Sequence, residues 1–163
     1  MLQHLLREDS IQLDLKASDR EDALRQMIGF LPAADIVDQD RKFLYELLLQ
    51  REQFGTTAIG DGVAMPHCSF AGVSFPVASL AISPSGINYP SLDGNPVHLL
   101  FLCVFPDVVD VASLKKQVFH RAESIFRDRF LQERLKASET PADAHKIIMN
   151  EANYSLPALK VAQ

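Results

Sequence analysis

The chain has 163 residues, 47% of them apolar and 23% charged, a length and balance that suit one globular domain with its own core. With a formal net charge of -5 and no Lys/Arg cluster, it is a poor nucleic-acid binder. Apolar runs such as Val97 to Phe105 fall well short of the roughly 18 to 20 residues a membrane helix needs, so no membrane insertion is expected.

The start, MLQHLLREDS, lacks the basic stretch and apolar core of a secretory signal. Cys68 and Cys103 make neither a disulfide framework nor a zinc pattern, and a reducing, cytoplasmic location is the expectation. Ser18 and Glu21 are spaced as a capping box at the head of an apolar stripe, Leu24, Met27, Ile28 and Leu31, before Pro32. A second helix is predicted from Asp38 toward Arg51, burying Phe43, Leu44, Leu47 and Leu48, with Gly55 closing it. From Thr56 to His67, small and β-branched residues with glycines at 55, 60 and 62 predict short strands and tight turns.

Pro76 to Ser83 and Val97 to Val104 look like buried strands, with Pro84-Ser85-Gly86 and Asp93-Gly94 as turns. Leu114, Val118, Ala122, Ile125 and Phe126 return to helical spacing, which Leu131 and Leu135 extend. Thr140-Pro141 then opens a final helix. The domain is expected over 1–152, with a tail over 153–163.

Chemistry concentrates in Arg51 to Cys68, REQFGTTAIGDGVAMPHC. A short apolar strand, Val63-Ala64-Met65, delivers Pro66-His67, and the proline stiffens the backbone before the histidine. A neutral imidazole offers one free lone pair near neutral pH, as a phosphoryl acceptor must. Such a transfer is governed by positioning and by cationic donors around the phosphoryl oxygens. Arg51 is the nearest candidate in sequence, and its guanidinium fork matches phosphate geometry. A single histidine at a strand end is also a common structural residue. Asp61, flanked by glycines, fits a turn as well as a site.

The same segment resembles the phosphorylation-site signature of the fructose/mannitol-type enzyme IIA family of the bacterial phosphotransferase system. Glu52, Ile59-Gly60, Val63-Ala64-Met65-Pro66-His67 and Cys68 fill the signature's places in order. The likeness extends through IQLDLKASDREDAL, LDGNPVHLLFLCVFP and FRDRFLQERLKAS, and is strongest to the free-standing nitrogen-regulatory members. It implies an α/β domain with a mixed sheet of about five strands flanked by helices. It further implies that His67 accepts a phosphoryl group on Nε2 from HPr or its nitrogen-branch paralogue, with Arg51 holding the group. Regulated target proteins would be further partners.

No metal or cofactor is required if Arg51 and backbone amides supply the positive potential. The chain departs from the family where many members carry a second active-site histidine. Counting from Pro106, that place is Ser113, which can donate a hydrogen bond to a phosphate oxygen but supplies no imidazolium charge. An alternative function is therefore a regulatory binding module with the same fold and impaired transfer. A hydrolase using His67 or Cys68 would lack a matching base and orienting group.

Overall fold

The computed structural model describes residues 2–154. One mixed sheet is built from β1 (Ile11–Gln12), β2 (Ala58–Gly60), β3 (Val63–Ala64), β4 (His67–Phe70), β5 (Val77–Ile87) and β6 (Val97–Pro106). Strand β6 is its axis. Along one side β5 runs antiparallel to it, and along the other β3 and β4 follow one another in parallel. Strand β2 closes the edge beyond β3, and β1 pairs parallel to β5 at the opposite edge. Strand β1 has no counterpart in the sequence reading, because its two residues are too few to show a period.

Residues Leu99 to Phe105 of β6 are all fully buried, as a central strand covered on both faces requires. Their alternation feeds two cores. Leu99, Phe101, Cys103 and Phe105 meet α4 (Val111–Phe126), α5 (Arg129–Lys136) and α6 (Pro141–Tyr154). The short α1 (Leu2–Leu5) adds Leu2 to that layer. On the other face, Leu100, Leu102 and Val104 meet α2 (Arg20–Gly29) and α3 (Asp38–Gln53). Complete burial of one such side chain is worth about 1.5–3 kcal/mol, so β6 anchors both layers.

Several boundaries differ from the sequence reading. Helix α2 is capped by Asp19, whose carboxylate accepts from the Asp22 N–H at 2.8 Å. The Asp22 carboxylate in turn accepts from the Ser18 N–H at 2.9 Å. The cap thus sits at Asp19 and not at Ser18, Asp22 reaches back past it to Ser18, and Glu21 pairs with Arg20 instead. The stripe through Leu135 breaks at Arg127-Asp128, where Asp128 caps α5 by accepting from the Leu131 N–H at 2.7 Å. On α3, Leu44 and Leu48 are buried but Phe43 is half exposed, its ring tilted against Phe70 at 6.0 Å. Helix α6 runs through Tyr154, two residues into the expected tail, whose remainder lies outside the described residues.

Pro84-Ser85-Gly86 is no turn between elements; it lies inside β5, where the pairing with β6 shifts register between Ile82 and Ile87. Gly86 there has φ +81°, a left-handed conformation that bulges require and side chains resist. A Cβ on it would stand 2.9 Å from Pro96 Cβ and 3.0 Å from His98 Cε1. Gly86→Ala is therefore expected to destabilise the fold by about 1–3 kcal/mol, read as a lower urea midpoint at unchanged slope. An unchanged midpoint would mean that the bulge relaxes freely.

Candidate functional site

The β4–β6 register pairs His67 with Cys103 and Cys68 with Val104. Alternation therefore turns His67 toward α4 and Cys68 into the core under α2 and α3. Both cysteines are buried and unpaired, on opposite faces of the sheet. Burial pushes the Cys68 thiol up to about 12, away from the thiolate form that redox chemistry needs. Just before β4, the buried Pro66 accepts the Cys103 N–H on its carbonyl at 3.0 Å, which locks the chain before the histidine to the central strand.

Each imidazole nitrogen has a partner. His67 Nδ1 lies 3.0 Å from the Met65 carbonyl oxygen, and Arg51 Nε donates to Nε2 at 3.3 Å. A carbonyl can only accept, so Nδ1 carries the proton and Nε2 the lone pair. Arg51 also donates from Nη1 to the Gly55 carbonyl at 3.0 Å, which fixes its fork at the end of α3. The two residues singled out in sequence, sixteen positions apart, are in contact.

The next residue of α3 supports the same site from beneath. Glu52 is buried, and its carboxylate takes the Thr57 N–H at 3.3 Å, the Thr57 hydroxyl, and the Tyr89 hydroxyl at 2.9 Å. Three donors compensate the cost of burying that charge. Thr57 passes the constraint on, since its carbonyl accepts the Met65 N–H at 2.9 Å. Met65 is thus held on its N–H side through Glu52 and offers its carbonyl to His67.

Helix α4 supplies the far wall. The Phe119 ring packs on the imidazole with centroids 4.6 Å apart, and Phe105 meets Phe119 edge-on at 5.4 Å. One turn earlier, Lys115 holds its ammonium 5.6 Å from the Phe105 ring centre. Ser113 is exposed, and its hydroxyl accepts from Gln117 Nε2 at 3.4 Å. With 3.6 residues per turn, Ser113 lies about 120° around the helix from Phe119. Neither Phe119 nor Lys115 announced itself in sequence, because which face of α4 meets β4 is set by tertiary packing.

Other candidates resolve into structure. Asp61 has φ +53° in the β2–β3 turn, with its N–H on Asp93 at 3.0 Å and its carboxylate on Arg127 at 2.6 Å. Among the described residues, no group of three or more His, Cys, Asp or Glu side chains could hold a metal ion. No helix among them is long and apolar enough to cross a membrane.

Comparison with known proteins places this geometry in context. The family model for the phosphoenolpyruvate-dependent sugar phosphotransferase system, EIIA 2, matches residues 4–151. A nitrogen regulatory protein of Bradyrhizobium diazoefficiens is 31% identical over 144 residues, spanning 88% of this chain and 92% of that one. The crystal structure of nitrogen regulatory protein IIA-Ntr from Neisseria meningitidis matches with a TM-score of 0.79 at 22% identity, over 90% of this chain and 98% of that chain. Enzyme IIAMTL of Escherichia coli, solved in complex with phosphorylated enzyme IIBMTL, matches with a TM-score of 0.68 at 16% identity, over 89% and 97%. These two structural likenesses establish a shared fold.

Burial first, then the charges of Arg51 and Lys115, lower the His67 pKa from 6.5 to about 4, with the Met65 bond opposing them. The ring is therefore neutral throughout the physiological range. Nitrogen-15 NMR should find Nδ1 protonated, Nε2 bare and a titration midpoint near 4; a midpoint near 6.5 would contradict this burial. A depressed pKa means that the unfolded chain binds the extra proton first. The stability at stake is then fully present above pH 6.5 and is lost as pH falls toward 4. His67→Gln should flatten that acid limb in urea unfolding measured across pH.

Proposed function

The chain belongs to the phosphoenolpyruvate-dependent sugar phosphotransferase system EIIA 2 family, and from that premise we propose that it is a phosphoryl carrier whose acceptor is His67 Nε2. The observation that carries this reading is the doubly held imidazole, with Nδ1 on the Met65 carbonyl and Nε2 on Arg51. In the transfer, the Nε2 lone pair forms the new bond to phosphorus. The bond from phosphorus to the donor breaks, and its electron pair returns to the donor atom. The proton stays on Nδ1, hydrogen-bonded to the Met65 carbonyl, which supports the positive charge that the ring acquires. Arg51 moves its N–H donors from Nε2 to the phosphoryl oxygens, where a planar guanidinium is well matched.

The proposed donor is HPr or its nitrogen-branch paralogue. Exposed apolar side chains near the site suit docking of a protein. Phe54 follows Arg51 by three residues at the end of α3, and Val108 and Val109 follow β6, whose Pro106 pairs with Phe70 of β4. Likeness to a nitrogen regulatory protein supports a regulatory role, with phosphorylation-dependent binding of target proteins. Likeness to enzyme IIAMTL makes an enzyme IIB-type protein a candidate acceptor for onward transfer.

The alternative reading, a binding module with impaired transfer, is favoured by Ser113, where an imidazolium is missing and the hydroxyl engages Gln117. The intact Arg51–His67 contact weighs against it. Ser113 enters the carrier reading as a rim hydroxyl that a phosphoryl oxygen would draw away from Gln117.

Incubation with phosphoenolpyruvate, enzyme I and the carrier protein should add one acid-labile phosphoryl group, abolished in His67→Ala. Arg51→Lys should slow labelling and Arg51→Ala should slow it more, by about 100-fold, with the fold intact by circular dichroism. Ser113→Ala should cost less than either Arg51 variant. Undiminished acid-labile label in His67→Ala would end the carrier reading. Label in neither protein would leave the binding module as the function.

A further inference from the structure

We infer that Lys115 is a second cationic residue for the phosphoryl group on His67, taking from α4 the charge that Ser113 cannot supply; this rests on the carrier reading above. Lys115 and Phe119 lie one turn apart, about 40° around the helix axis, so both face the β4 edge. Phe119 packs against the imidazole, Phe105 backs Phe119, and the Lys115 ammonium stands over Phe105. His67 is thereby set between two cations carried by helices on opposite faces of the sheet, Arg51 from α3 and Lys115 from α4.

The Lys115 charge is also uncommitted. Among the described residues it forms no ion pair, whereas Lys136 on α5 is paired with Glu133. It is half-buried, its stem lying on aromatic surface as long basic side chains do. A half-buried ammonium without a counter-ion is unfavourable in the free protein and becomes favourable when a dianion arrives beside it. The positive potential that helps burial keep His67 neutral thus also favours the phosphorylated ring. Arg51 grips the oxygens through a rigid fork, while Lys115, on a flexible stem, follows the group as it arrives.

The test separates chemistry from docking by using two donors, the phosphorylated carrier protein and phosphoramidate. With phosphoramidate the Nε2 lone pair bonds to phosphorus, the donor P–N bond breaks, and ammonia leaves with that pair after taking up a proton from solvent. Lys115→Met keeps the stem on Phe105 and removes the charge; Lys115→Arg restores charge; Lys116→Met, on the exposed side of α4, is the control. Lys115→Met should be labelled about tenfold more slowly by both donors, Lys115→Arg should recover most of the rate, and Lys116→Met should match wild type.

Phosphorus-31 NMR should find the phosphoryl protonation midpoint raised in Lys115→Met, a change that a purely structural role would not produce. In the wild-type protein itself, phosphorylation should shift the Lys115 Nζ resonance and leave Lys116 unmoved, which holds whether or not the variants fold. Wild type that takes label while Lys115 Nζ stays unmoved, or Lys115→Met with wild-type rates and midpoint, overturns this inference alone. Wild type that takes no label from either donor overturns the carrier reading and this inference with it.

Discussion

The hydrogen bond between His67 Nδ1 and the Met65 carbonyl is the constraint on which the site depends. It decides which nitrogen holds the proton, and so which nitrogen is a nucleophile. It also fixes the ring plane, so that Nε2 meets Arg51 and one face meets Phe119. A histidine two residues from the carbonyl it binds, across a proline, has little freedom to turn away. The sheet strengthens this, since the Pro66 carbonyl is held by the Cys103 N–H of the central strand.

Burial and charge then act together on that ring. Desolvation and two nearby cations oppose protonation more strongly than one carbonyl favours it. A free histidine is partly protonated at pH 6.5, and its lone pair is then lost to chemistry. Here the lone pair is kept, and the charges that keep it are of the sign a phosphoryl group requires. In the proposed carrier role, the charges that help burial keep the lone pair free would also attract the incoming anion. The buried Glu52 sits one residue from Arg51 but turns its oxygens to Thr57 and Tyr89.

Much of this was legible in the sequence, and the limits have physical causes. Arg51 and His67 were identified together because α3 and the Val63–His67 segment each carry their own local signals. The α/β class and the buried β6 followed from apolar runs and turn residues. Glu52 was visible only as a place in a signature, since nothing local says that Tyr89, thirty-seven residues on, completes its shell. Lys115 and Phe119 were missed because the facing of α4 against β4 depends on packing over the whole core. Pro84-Ser85-Gly86 misled for a related reason: a bulge and a turn use the same residues, and the long β6 partner selects the bulge. The helix cap lies one residue later because Asp19 takes the Asp22 N–H, while the Asp22 carboxylate takes the Ser18 N–H that Glu21 was expected to hold.

The central claim is that the Met65 carbonyl leaves Nε2 of His67 as the nucleophile. Heteronuclear phosphorus–nitrogen NMR on the phosphorylated, nitrogen-15-labelled protein tests it most directly. The account predicts a phosphorus coupling to Nε2 of His67, with Nδ1 still protonated and bonded to the Met65 carbonyl. Phosphorus on Nδ1, or on any other residue, would contradict it.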